Sequence, residues 1–115
     1  DQAVLDRLVR SKVLWERRIA MLATFAFIKQ GRFELTLALA KLLLQDPDDL
    51  MQKATGWMLR EVGKRQESVL RDFLDWYAAN MPRIMLRYAL EKLPEEDRQV
   101  YLKQRTTGQA PSGKL

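Results

Sequence analysis

Apolar side chains recur along this chain at intervals of three and four residues. No segment alternates apolar with polar residues as a half-buried strand would, so the pattern predicts helices throughout. Asp1 to Arg10 spaces Val4, Leu5, Leu8 and Val9 as one short amphipathic helix. Ser11 to Gln30 surrounds almost its whole circumference with Leu14, Ile19, Met21, Leu22, Phe25, Phe27 and Ile28. It should therefore be a central, buried helix, closed by Gly31 as a C-terminal cap. Phe33 to Gln45, with its LTLALAKLLL core, is a second mostly buried helix, antiparallel to its predecessor because the link is short. Gln66 to Ala79 presents Val69, Leu70, Phe73, Leu74 and Tyr77, while Pro82 to Lys92 and Leu93-Pro94 to Gln104 open with proline in the first turn. With the helix from Asp46 to Arg65 this makes seven helices on short loops, an all-α chain. Periodicity alone allows either stacked antiparallel hairpins or a plain bundle.

The helix between those two groups, DPDDLMQKATGWMLREVGKR from Asp46 to Arg65, has two distinct faces. Asp46 is the expected N-cap and Pro47 the first helical residue, with Asp48 and Asp49 at the positive end of the dipole. Met51, Ala54, Met58, Leu59 and Val62 fall on one side, toward the core. Lys53, Trp57, Arg60 and Lys64 fall opposite, within an arc of about 60° at helical spacing. A tryptophan among three cations on a polar face has two readings: a ligand surface, or an indole covered by a neighbouring helix with solvated lysines beside it. Arg18 poses a similar choice. Its projection lies among Leu14, Met21, Leu22 and Phe25, so it needs either a buried carboxylate or a groove in which to take a phosphate.

Composition narrows the chemistry. The 115 residues fit one domain, and a net charge of +5 with pI near 9.7 suits an anionic partner, nucleic acid first, though charge alone is equally consistent with a merely basic, soluble surface. With no Cys and no His, the chain has no disulfide, thiol nucleophile, imidazole base or Cys/His zinc site. We expect no cofactor and no metal. The longest uncharged run, Ile19 to Ile28, is too short for a bilayer, and no signal peptide opens the chain, so an intracellular, cytoplasmic protein without membrane contact is expected. The chain starts without Met in a helical pattern, as a fragment of a longer array would. From Arg105 to Leu115 the sequence has the Gly, Pro, Ser and Thr content of a disordered tail.

Three segments carry a family resemblance. Lys53–Ala54–Thr55–Gly56–Trp57–Met58–Leu59–Arg60–Glu61–Val62–Gly63–Lys64 resembles the "KAxGWxLRExxK" segment of the DNA alkylation repair proteins, alkylpurine DNA glycosylases built of HEAT-like repeats. Trp15–Glu16–Arg17–Arg18–Ile19–Ala20 is similar to that family's "WxxRxA" helix start, and Met81-Pro82-Arg83 to Glu91-Lys92 to its following helix. The resemblance spans roughly residues 12 to 103. It implies an α-solenoid of HEAT-like hairpins over residues 1–104, and double-stranded, alkylated or otherwise damaged DNA as partner. It also implies DNA contacts by Arg18, Lys53, Trp57, Arg60 and Lys64. An array of this kind exposes an apolar end, so self-association through repeat ends is a further expectation.

The family's enzymes hydrolyse the N-glycosidic bond of cationic alkylpurines of the 3-methyladenine and 7-methylguanine type. They hold the duplex in a cationic groove, without swinging the base into a pocket. An aspartate and a tryptophan in an upstream "WDxxD"-like motif share the catalysis. That motif does not occur here, and Asp1 and Asp6 lie too close to Trp15–Arg18 to match it. The expectation is therefore a DNA-binding segment with no catalytic residue of its own. A non-catalytic DNA-binding relative and a helical scaffold for proteins are the alternatives. Trp15 is expected to pack at its helix start. Lys53 is expected as a phosphate contact rather than a Schiff-base nucleophile. Arg83, Arg87 and Glu91 are expected to form a solvated surface network, the alternative being that Arg83 extends the groove.

Overall fold

The computed structural model describes residues 2–107, and no strand occurs among them. Its helices are α1 (Gln2–Val9), α2 (Leu14–Ala23), α3 (Phe25–Lys29), α4 (Glu34–Leu42) and α5 (Asp49–Arg65). There follow α6 (Glu67–Tyr77), a 3-10 turn at Ala78–Asn80, α7 (Arg83–Leu90) and α8 (Glu95–Thr107). The all-α expectation holds, and the packing of neighbours is consistent with stacked helical hairpins. The expected tail falls largely on residues 108–115, which lie outside the described residues.

Polar side chains move several boundaries. The N-cap of α5 is Asp48 rather than Asp46: its carboxylate accepts from the amides of Leu50 at 2.8 Å and Met51 at 3.1 Å. Asp46 instead closes a turn by accepting from the Asp48 amide at 3.0 Å, and Pro47 belongs to that turn, not to the helix. Either aspartate could cap, but only the second leaves the first free for an ion pair from α2. The 11–30 segment is likewise not one helix. Ser11 Oγ accepts from the Val13 amide at 3.0 Å and delays the start to Leu14. The buried Thr24 hydroxyl donates to the Met21 carbonyl at 2.7 Å, a back-bond that bends helices, and the chain restarts at Phe25. Gly31, at φ +77°, ends α3 as expected. Its amide donates to the Ile28 carbonyl at 2.9 Å and that of Arg32 to Phe27 at 3.0 Å, the paired bonds of a Schellman cap.

The long helix α5 sits at the centre, with α2, α3, α4, α6 and α7 all packed against it. Met51, Ala54, Met58, Leu59 and Val62 are buried, as their spacing requires. On another flank α7 comes close at Gly56, where an added Cβ would stand 2.5 Å from the Met85 carbonyl oxygen and 2.6 Å from Tyr88 Cβ. Only glycine admits that approach. In α6, Leu70, Phe73 and Leu74 are buried, with Val69 and Tyr77 packed partly against them. The expectation of a wholly buried second helix is corrected: Ile19 is 41% exposed and Trp15 66%. Helix α2 buries only the face of Ala20 and Met21, because nothing described covers its other side.

Candidate functional site

Between the core face of α5 and its α7 flank lies the expected cationic stripe. Trp57 is 40% exposed, Lys53 and Lys64 are exposed, and Arg60 is half-buried. The indole therefore is not covered by a neighbouring helix. The Lys53 and Trp57 side chains make no hydrogen bond, ion pair or ring contact with described residues.

The other two cations are braced by acids that the pattern did not single out. Arg60 donates through Nη1 to Glu91 just past α7, while its Nε is shielded and without a partner. Lys64 Nζ lies 3.4 Å from Glu61, whose other oxygen accepts from Arg65 at 3.0 Å. Glu61 is 6% exposed. Burial pushes its carboxyl up, but the hydrogen bonds and charges of Arg65 and Lys64 outweigh that and hold it below its usual range. The spacing of Glu61 to Lys64 and Arg65 was a visible signal for this cluster. Nothing local could reveal the tie from Arg60 to Glu91, which joins residues 31 apart. That tie also corrects the surface network expected on α7: Glu91 serves Arg60, and Arg83 reaches the Leu102 carbonyl at 3.5 Å.

Arg18 sits on α2, which packs against α5. It is half-buried, and its side chain makes no hydrogen bond or ion pair with described residues. The buried carboxylate considered for it goes to its neighbour. Arg17 Nε donates to Asp46 at 2.8 Å, Nη2 approaches the same group at 3.4 Å, and Nη1 reaches the Ser11 carbonyl at 3.2 Å. Trp15, expected as packing, stands in solvent one turn before Arg18. Lys53, Trp57, Arg60 and Lys64 thus share one surface, and Arg18 lies on the adjacent helix with no hydrogen bond or ion pair to them.

Chemically the surface offers positive charge, an open indole face and guanidinium donors. Among the described residues no group of three or more Asp and Glu side chains is placed to hold a metal ion. No described helix is long and apolar enough to cross a membrane. Apart from the stripe, an apolar groove of about 450 Å³ runs between α4 and α6, lined by Leu37, Lys41, Phe73, Trp76 and Tyr77 among others. No curated protein and no solved structure matches the chain. A family model does, over residues 1–93: it is described as DNA alkylation repair enzyme.

Proposed function

Because the chain belongs to the DNA alkylation repair enzyme family, we propose that the α5 stripe and Arg18 bind duplex DNA carrying alkylated or other damaged bases. Lys53, Arg60, Lys64 and Arg18 neutralise phosphates and release counterions. Trp57 offers its π-face to a base. A methylated purine nucleoside is cationic, so an indole favours it over a normal base. The observation that carries this reading is the half-exposed tryptophan set among cations on the central helix of the fold.

The reaction served is hydrolysis of the N-glycosidic bond of cationic alkylpurines, within an array of HEAT-like hairpins. The base there already bears a leaving charge, so catalysis consists of stabilising the developing sugar cation and positioning water. The stripe offers no free carboxylate for that chemistry, since Glu61 is buried beneath two cations and Glu91 is spent on Arg60. These residues therefore bind DNA and leave excision to an aspartate outside them.

The test is fluorescence anisotropy on a short duplex across a salt series, comparing the parent with Arg18→Ala/Trp57→Ala/Arg60→Ala. Binding should weaken steeply with salt, and the triple variant should lose on the order of 100-fold in affinity with a shallower slope. Trp57→Ala alone should cost about tenfold, Trp15→Ala less than about threefold. Equal binding by parent and triple variant would remove the stripe as a DNA site.

A further inference from the structure

Beyond Lys64 the cationic surface does not stop. Glu61 contacts Lys64 with one oxygen and Arg65 with the other. The Arg65 guanidinium then lies over the Phe25 ring, 5.6 Å from its centroid, and Lys29 Nζ lies 5.0 Å from the same centroid. One buried carboxylate and one aromatic ring thus link the end of α5 to α3, two helices whose cations are far apart in sequence. We infer that Lys29 and Arg65 extend the DNA interface onto α3, taking the sugar–phosphate backbone past the stretch that the α5 stripe covers. This rests on the DNA-binding reading of that stripe.

The charge balance favours an anion. Lys64 and Arg65 share a single carboxylate, Lys29 over the Phe25 ring adds a third cation, and the next acid along the chain, Glu67, is held by Arg71 at 2.7 Å. Lys29 is exposed and has no acidic partner among the described residues. Arg65 spends Nη1 on Glu61 and keeps its Nη2 edge free. A cation resting on an aromatic face loses less freedom on meeting a phosphate than one on a solvated stem. Phe25 and Glu61 are accordingly positioning residues, and the two cations make the contact. Phosphate contacts carry no information about the base, so this part of the interface adds affinity without adding preference for a lesion.

The experiment uses the same salt series, on an alkylated duplex and its unmodified counterpart, with Lys29→Gln, Lys29→Arg and Arg65→Gln. Lys29→Gln should lower the log–log salt slope by about one and weaken binding about threefold to tenfold at low salt, equally for both duplexes. Lys29→Arg should retain parental binding. Arg65→Gln should show a loss at least as large, and a thermal melt accompanies it because Glu61 loses a partner. Lys29→Gln disturbs only the contact with the Phe25 ring and is therefore the decisive variant. If the parent binds and the Trp57/Arg60 substitutions abolish binding, while Lys29→Gln keeps full affinity and slope, the interface ends at Lys64 and this inference is overturned. A parent that binds no DNA overturns the stripe and its extension together.

Discussion

Two helices of this fold carry a tryptophan followed three residues later by an arginine: Trp15 and Arg18 on α2, Trp57 and Arg60 on α5. The spacing is identical, yet the pairs are in different physical states. On α5 the indole is 40% exposed and the arginine is tied to Glu91, on a helix packed against five others. On α2 the indole is 66% exposed and the arginine has no partner among the described residues, on a helix that buries one side only. What differs is not the motif but its surroundings. A braced guanidinium gives up little freedom when a phosphate arrives, whereas a free one must be ordered at that moment. On the proposed DNA-binding reading, the α5 pair recognises and the α2 arginine adds charge.

The brace depends on how closely α7 approaches, and Gly56→Ala breaks it most severely. The new Cβ would meet the Met85 carbonyl oxygen at 2.5 Å, a backbone atom that no rotamer change can move aside. Alanine recovers about 1 kcal/mol of helix propensity, but forcing the two helices apart costs more. We expect a net loss of about 3 kcal/mol, read as a fall of roughly 12 °C or more in Tm. Glu91 would move with α7, so the α5 pair should come to behave like the α2 pair. A melt within a degree or two of the parent would show that the approach at Gly56 does not set the brace.

The adjacent arginines of α2 sharpen the contrast. Arg17→Ala removes the partner of Asp46, whose side chain is 6% exposed, and should cost about 2 kcal/mol of stability. Arg18→Ala breaks no side-chain hydrogen bond or ion pair with described residues and should change stability by less than about 0.5 kcal/mol. In DNA binding the order reverses: Arg18→Ala should lower the salt slope by about one, and Arg17→Ala should leave the slope alone while the protein stays folded. Urea unfolding beside the anisotropy series reads both effects. If Arg17→Ala lowered the slope and Arg18→Ala did not, the roles assigned to the two arginines would be exchanged.

This pair also shows where the sequence stops speaking. Period 3.6 correctly placed Met51, Ala54, Met58, Leu59 and Val62 inside and the Lys53–Lys64 stripe outside, because both are properties of a single helix. It also placed Arg18 on an apolar face and thereby suggested a buried acid. In fact Arg17 takes the acid, since Asp46 is brought up by a turn 29 residues later. The apolar projection of α2 implies burial around almost its whole circumference, but Trp15 and Ile19 have nothing described over them. Breaks came from short polar side chains whose choice is tertiary: Thr24 could bond backward or stay helical, and Asp46 or Asp48 could cap. Of the site, the stripe is legible in the sequence and Glu61 half-legible through its spacing; the contacts of Glu91, Phe25 and Lys29 need the packing of α7 and α3.

The smallest effect concerns Glu61, the acid that braces Lys64 as Glu91 braces Arg60. Its pKa in the folded chain lies below the usual 4.5, because Arg65 and Lys64 outweigh the opposing effect of burial. A carboxyl with a depressed folded pKa stabilises the fold at pH values above 4.5 and loses that contribution as pH falls through the folded value. Both cations are over a third exposed, so screening by water leaves about 1 kcal/mol at most. Thermal melts of the parent and Glu61→Gln should therefore differ most near neutral pH and converge as the solution is acidified below 4.5. High salt should shrink the neutral-pH gap as well. A gap that stays constant from neutral to acid pH would mean that Glu61 acts through packing alone. Lys64 would then be no better braced than Arg18, and the difference between the two helices would rest on Arg60 and Glu91 only.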